Sequence, residues 1–335
     1  LDFECLKAID IPDLEKRLAT MSRDRTAAAV NRLADVLKQW QWKQTGSHVL
    51  VAGLVVATMI QTGWKWRPQV ALTGESASGK TTLMDTLNAV FGGLALRCDK
   101  PSEAGLRQAV GNSAQAILID EFEKSKDRQR ILELIRTGSR GSRILRGTID
   151  QKGISFGLRH VVWIASVESG LVRQPDRNRF IRLELLKSDR WMEIPDEQAL
   201  HELGRELFAT GVYLCSDATA LSETLKQIRL DGIDPRLVES YSVPAAMLAV
   251  AGVFGNTSPE EILVNTIGCV GDHANVTESD QLSMLRDILA IKIVVEREIM
   301  TAGEILYNPV MLNGSREALE RDGMRRMADK LFVAP

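Results

Sequence analysis

Apolar residues recur three and four positions apart over the first sixty residues, which predicts helices at Asp13–Leu18, Thr26–Trp42 and Ser47–Ile60. Gly46-Ser47 supplies the N-cap of the third. From residue 67 the pattern changes. Short apolar runs at Val70–Thr73, Ala116–Ile119, His160–Ser166 and Ile181–Leu185 alternate with helical stretches such as Thr82–Val90. That alternation is the signature of a parallel α/β sheet. Strand character then fades. Glu197–Leu214, Asp217–Ile228 and Val243–Phe254 predict helices, with a break at Asp234-Pro235. The last stretch predicts helices at Asp280–Val295, Ala302–Tyr307 and Ser315–Arg325, then a strand at Leu331–Val333, together a winged-helix unit. The expected organisation is a helical N-terminal region (1–66), an α/β core (67–187), a helical lid region (188–277) and a winged-helix domain (278–335).

The apolar run from Val49 to Ile60 is too short to span a membrane, for which about 20 residues are needed, and suits a buried helix. With 44% hydrophobic and 26% charged residues, the chain has the composition of a soluble globular protein. Its net charge of −2 excludes a wholly basic nucleic-acid binder, so any such surface is local. Cys5, Cys98, Cys215 and Cys269 form no CxxC pair, and the four histidines are equally scattered. Neither a disulfide framework nor a zinc site is expected, and reduced cysteines fit a cytoplasmic protein. No signal peptide is evident, and a chain starting at Leu1 is expected of a piece of a longer polypeptide.

The strongest chemical signal is Gly74-Glu75-Ser76-Ala77-Ser78-Gly79-Lys80-Thr81, which fits G-x-x-x-x-G-K-[ST]. It lies between the strand Val70–Thr73 and the helix beginning at Thr82, the context that a phosphate-binding P-loop requires. Glycines let successive N–H groups point at phosphate oxygens, and the helix N-terminus adds partial positive charge. Residues Gly74 to Thr82 are therefore expected to bind ATP. Lys80 would reach the β- and γ-phosphates, and the Thr81 hydroxyl would ligate Mg²⁺.

Two carboxylates, Asp120 and Glu121, end the apolar strand at 116–119. Ligands of α/β sheets sit at the carboxyl ends of strands. Asp120 is the expected Mg²⁺ partner, and Glu121 the residue that polarises a water for attack on the γ-phosphate. Between Lys126 and Arg159 the chain carries nine basic residues against three acidic ones, within a protein of net charge −2. Inside that stretch, Arg143–Gly147 and Gly153–Phe156 predict paired strands with Thr148–Lys152 as the tip. Such a basic hairpin suits contact with a phosphodiester backbone through Arg143, Arg146 and Lys152. The strand His160–Ser166 ends on Ser166, a candidate for sensing the γ-phosphate, with Ser169 a second. Arg177 and Arg179 precede the next strand and are candidates for an arginine finger reaching a neighbouring subunit's nucleotide.

These parts in this order resemble an AAA+ ATPase, and the basic hairpin looks like the pre-sensor hairpin of superfamily III and related replicative helicases. Trp66-Arg67-Pro68, Ser102–Gln108, Ile119–Glu123 and Arg146-Gly147-Thr148 are similar to phage and mobile-element primase–helicase proteins. The resemblance covers about residues 64–187 and is looser beyond. It implies a homo-oligomeric, hexameric ring with nucleotide between subunits and single-stranded or forked DNA through the pore. It also implies a primase as partner; the short apolar run Val49–Ile60 leaves no membrane partner expected. Lys152 and its neighbours would then face the pore, and Arg177 and Arg179 would act in trans. Many relatives carry Asn near the end of the sensor strand, where this chain has Ser166-Val167-Glu168. Rival readings are an AAA+ ATPase that remodels proteins, a nucleotide-gated assembly in anti-phage defence without unwinding, and a small-molecule kinase.

Overall fold

The computed structural model describes residues 13–268 apart from short breaks at 112, 140–142, 148–152, 158, 168–170, 172–173, 190–191 and 256. Beyond 268 it describes residue 289 and four strands. The chain divides into two compact units, residues 1–274 and 275–335.

The larger unit is built on β1 (Gln69–Gly74), β2 (Ala95–Asp99), β3 (Ala116–Asp120), β6 (Val162–Ser166) and β7 (Phe180–Leu185). All pairings are parallel, in the order β2-β3-β6-β1-β7. An antiparallel ribbon, β4 (Arg143–Gly147) and β5 (Gly153–Gly157), interrupts the chain between β3 and β6. β1 lies between β6 and β7 and does not pair with β2, so the sheet follows neither common doubly wound dinucleotide-binding order.

Parallel strands covered on both faces read as continuous apolar runs, and the burial alternates accordingly. Val70, Leu72, Leu118, Trp163, Ala165, Ile181 and Leu183 join one core cluster. Ala71, Ile117, Ile119, Val162, Ile164 and Phe180 join the other. The first face carries α2 (Arg23–Leu37), α3 (Ser47–Met59), α4 (Lys80–Phe91), α8 (Glu197–Leu225) and α9 (Pro235–Val250), and the second α5 (Glu103–Val110) and α6 (Arg128–Gly138). The N-terminal helices thus share one core with the sheet. The larger unit also holds α1 (Leu14–Ala19), α7 (Gln174–Arg177) and α10 (Pro259–Gly268).

Several boundaries depart from expectation. α2 stops at Leu37, because the chain turns there to run beside the sheet edge: Trp42 bridges Leu185, and the Leu186 N–H donates to the Gln41 carbonyl at 2.8 Å. Gly46 caps α3 in the left-handed region, and Ser47 is the first helical residue. The two helices expected over 197–228 are one, α8, since Leu214, Ala218 and Leu225 all stay buried along its length. At Gly204, an added Cβ would lie 1.9 Å from the Val90 carbonyl, so glycine is what lets α8 approach α4. Asp234 caps α9, its side chain accepting from the Arg236 N–H, and Pro235 takes the first helical position. α9 runs through Pro244, whose fully buried surroundings outweigh the lost backbone bond.

In the smaller unit, two antiparallel pairs are described: β8 (Lys292–Val295) with β9 (Glu298–Thr301), and β10 (Met324–Met327) with β11 (Lys330–Val333). Helices expected to end at Val295 and Arg325 are corrected there to strand. The β-branched run Ile293-Val294-Val295 favours that outcome. Ala302–Tyr307 lies outside the described residues.

Candidate functional site

β1 ends at Gly74 and α4 begins at Lys80, so residues 75–79 form a tight loop over the helix N-terminus. Two glycines make the turn feasible. A Cβ on Gly74 would fall 2.5 Å from the Leu185 carbonyl and 2.7 Å from Ser78 Oγ. Gly79 has φ 84°, in the left-handed region that favours glycine, and so does Ala77 at φ 64°. The Trp40 indole N–H donates to the Gly79 carbonyl at 3.0 Å and braces the loop from outside. Lys80 folds back over the loop, its Nζ donating to the Gly74 carbonyl at 2.6 Å and the Glu75 carbonyl at 2.8 Å. Partial burial lowers the Lys80 pKa, opposed by the charges of Glu123 and then Asp120. Glu75 lies outside this cradle, its pKa lowered by an exposed pair with Lys187 at 2.9 Å. Ser78 is buried, whereas Ser76, Thr81 and Thr82 are exposed.

Sheet order brings the other candidates to the same edge. Asp120 is the last residue of β3 and 5% exposed. Its Oδ1 accepts the Glu121 N–H at 2.9 Å, and its Oδ2 lies 3.5 Å from Arg97. Arg97 also pairs with Asp85 of α4. Ser166 ends β6, buried, in register with Thr73 of β1. β6 lies between β1 and β3, so Ser166 stands between the loop and the acidic strand end.

Glu121, the residue expected to polarise water, follows the strand end on the turn out of β3. It adopts φ 49°, and its carboxylate pairs with Lys100 at 2.7 Å and with Lys124. Those hydrogen bonds, Lys100 first, hold its pKa down to about 2. A carboxylate so committed is a weak proton acceptor. Two residues on, Glu123 lies on the 3₁₀ turn Phe122–Lys124. Its Oε2 is buried and accepts no hydrogen bond.

Arg177 and Arg179 lie at the opposite end of the sheet. The Arg179 carbonyl accepts the Gln69 N–H at 3.1 Å, and Gln69 begins β1. A strand of this length separates them from the loop by about 16 Å, so they do not complete the site of their own chain. Arg177 Nε donates to the Leu171 carbonyl at 2.9 Å. Between the two arginines' turn and α6, the buried Asp176 takes a paired contact from Arg136, with Nη2–Oδ2 at 2.6 Å. Arg136 is thus committed internally and Arg128 lies over the Phe122 ring, whereas Arg130, 75% exposed, makes only a loose surface pair with Asp127 at 3.7 Å. The basic stretch is therefore less available than its count implied. Arg143 and Arg146 fall in β4, while Lys152, the expected tip and Ser169 lie outside the described residues.

Neither a protein-family model nor a curated protein matches the chain.

Among the described residues, no group of three or more His, Cys, Asp and Glu side chains is placed to hold a metal ion. Mg²⁺ bound with a nucleotide needs no such cage, since it keeps waters and phosphate oxygens and takes one or two protein ligands. The Thr81 hydroxyl and the Asp120 carboxylate are hard oxygen donors of that kind and fit it. No described helix is long and apolar enough to cross a membrane.

Proposed function

We propose that this chain is an ATP-hydrolysing, ring-forming DNA translocase of the AAA+ type, serving as a replicative helicase of phage, prophage or plasmid origin. The observation that carries the reading is the convergence of the Gly74–Thr81 loop, Asp120 and Ser166 at one edge of a parallel sheet. Backbone N–H groups of the loop and the α4 N-terminus bind the phosphates. Lys80 exchanges its two carbonyl contacts for β- and γ-phosphate oxygens. Thr81 and Asp120 would hold Mg²⁺, which would supply charge neutralisation for the bound phosphates. Ser166 positions the terminal phosphate. Arg177 and Arg179, remote from their own loop, supply positive charge to a neighbouring subunit's nucleotide, which calls for a ring. The β4–β5 ribbon, with Lys152 between its strands, follows the DNA backbone.

The test is ATP hydrolysis with and without single-stranded DNA, for wild type, Lys80→Ala and Lys152→Ala. Lys80→Ala loses hydrolysis by about 100-fold or more. Lys152→Ala keeps basal hydrolysis and loses DNA stimulation. Hydrolysis that DNA never stimulates, with no strand separation, refutes the translocase and favours a protein-remodelling ATPase.

A further inference from the structure

Arg97, on β2, reaches a carboxylate on either side. Its Nη1 pairs with Asp85 of α4, and its Nη2 lies 3.5 Å from Asp120 Oδ2 at the end of β3. Asp85 follows Thr81 by four residues, so the two share one face of α4, a single turn apart. The guanidinium therefore joins the helix face that carries Thr81 to the strand end that carries Asp120, the two groups that fit Mg²⁺. The three charged side chains differ in access to water: Asp120 is 7% exposed, Arg97 23% and Asp85 57%. A nearly buried carboxylate needs a counter-charge. Oδ1 of Asp120 accepts the Glu121 N–H at 2.9 Å, which leaves Oδ2 to Arg97. Asp85 offers the same guanidinium a second anion, one in contact with water.

We propose that Arg97 is a positioning residue, the resident counter-ion of Asp120, which competes with the divalent cation for that carboxylate and so reserves the site for metal arriving with nucleotide phosphates; this rests on the reading of Gly74–Thr81 as an ATP site. A guanidinium 3.5 Å from Oδ2 opposes a second cation at the same oxygen. Nucleotide phosphates add the negative charge that outweighs this opposition. Asp85 is the alternative partner. It holds Arg97 when Asp120 is given up, so the guanidinium is not left without an anion. A fork that spans two carboxylates suits arginine better than lysine. Removing Arg97 and removing Asp85 must then act in opposite directions. Without Arg97, Asp120 loses its counter-charge and takes the metal more tightly. Without Asp85, Arg97 keeps Asp120 alone among the described residues and resists the metal more strongly.

The test compares full-length wild type, R97Q, D85N and the double variant R97Q/D85N. Mn²⁺, which shares the preference for oxygen ligands, is titrated into each protein saturated with ADP, and free Mn²⁺ is read from its electron paramagnetic resonance signal. A fluorescent ATP analogue reports nucleotide binding, and thermal melting checks the fold. R97Q is expected to bind Mn²⁺ about tenfold more tightly, and D85N about threefold more weakly. In the R97Q background, D85N is expected to change the affinity by less than about twofold, because an exposed carboxylate is screened and its effect passes through Arg97. The Mg²⁺ concentration for half-maximal hydrolysis should shift in the same directions. An R97Q that binds Mn²⁺ no more tightly than wild type overturns the proposal, as does a D85N effect of equal size with and without Arg97. If R97Q does not fold, D85N at its exposed side chain carries the test, and an unchanged Mn²⁺ affinity there overturns the proposal. A wild type that binds no analogue overturns the ATP reading and this proposal together. Analogue binding with Mn²⁺ affinities alike in all variants overturns this proposal alone.

Discussion

His160 gives the structure its most quantitative prediction. The residue is 2% exposed, just before β6, with Nδ1 2.7 Å from the Gln115 carbonyl. That carbonyl only accepts, so Nδ1 carries the proton, and the buried Nε2 is left without a partner. Burial, with a smaller contribution from the Arg67 charge, pushes the pKa from 6.5 down to about 4. The folded state therefore keeps a neutral imidazole where the unfolded chain is already protonated. Above pH 6.5 both states are neutral, and the contribution to stability is complete. As pH falls from 6.5 the unfolded chain binds a proton that the folded one refuses, and stability drops until about pH 4, where the folded ring protonates too. At about 1.4 kcal/mol per pH unit, that window is worth about 3 kcal/mol. The assay is urea denaturation between pH 7.5 and 4 for wild type and His160→Gln, whose amide can still donate to Gln115. The stability advantage of wild type over the variant should shrink by about 3 kcal/mol across the window. Parallel pH dependences, or an imidazole titrating near 6.5 by NMR, would refute the argument. Glu121 does not confuse the result. Its lowered carboxyl contributes stability that is full above its ordinary 4.5 and declines as pH falls from there to about 2, equally in wild type and variant, so it cancels in the difference.

Three further substitutions test the framework of the fold and the site. Gly74→Ala places a methyl against the Leu185 carbonyl and Ser78 Oγ, which should cost about 1–3 kcal/mol in denaturant melts and weaken nucleotide binding. Gly92→Ala, at φ 54° and ψ −132° with nothing within 4 Å of the new Cβ, should cost about 1–3 kcal/mol through backbone strain alone and leave binding unchanged. Arg136→Met strands the buried Asp176 carboxylate and should lose about 3 kcal/mol, with Asp176→Asn in the same background recovering part of it.

The chain itself determined a great deal. Repeated apolar runs placed β1, β3, β6 and β7 to within about two residues, because a strand buried on both faces leaves no room for polar residues. The Gly-Lys-Thr loop and the Asp120 strand end were legible as local patterns, since a tight strand–loop–helix turn is set by neighbouring residues. The ribbon at 143–157 followed from two short runs flanking a turn. Other features depend on partners distant in sequence. The helix expected from Asp217 is continuous with the one before it, and the helix expected from Val243 begins at Pro235, because tertiary burial overrides local propensity; α2 ended early because its next residues found a sheet edge. Trp40 reaches Gly79 across 39 residues, a contact with no local signature. Glu121 and Glu123 look alike in sequence, two carboxylates two positions apart. Only the fold gave one of them two lysines and the other an unfilled acceptor, because the first turns outward at φ 49° while Phe122 pulls the second toward the core.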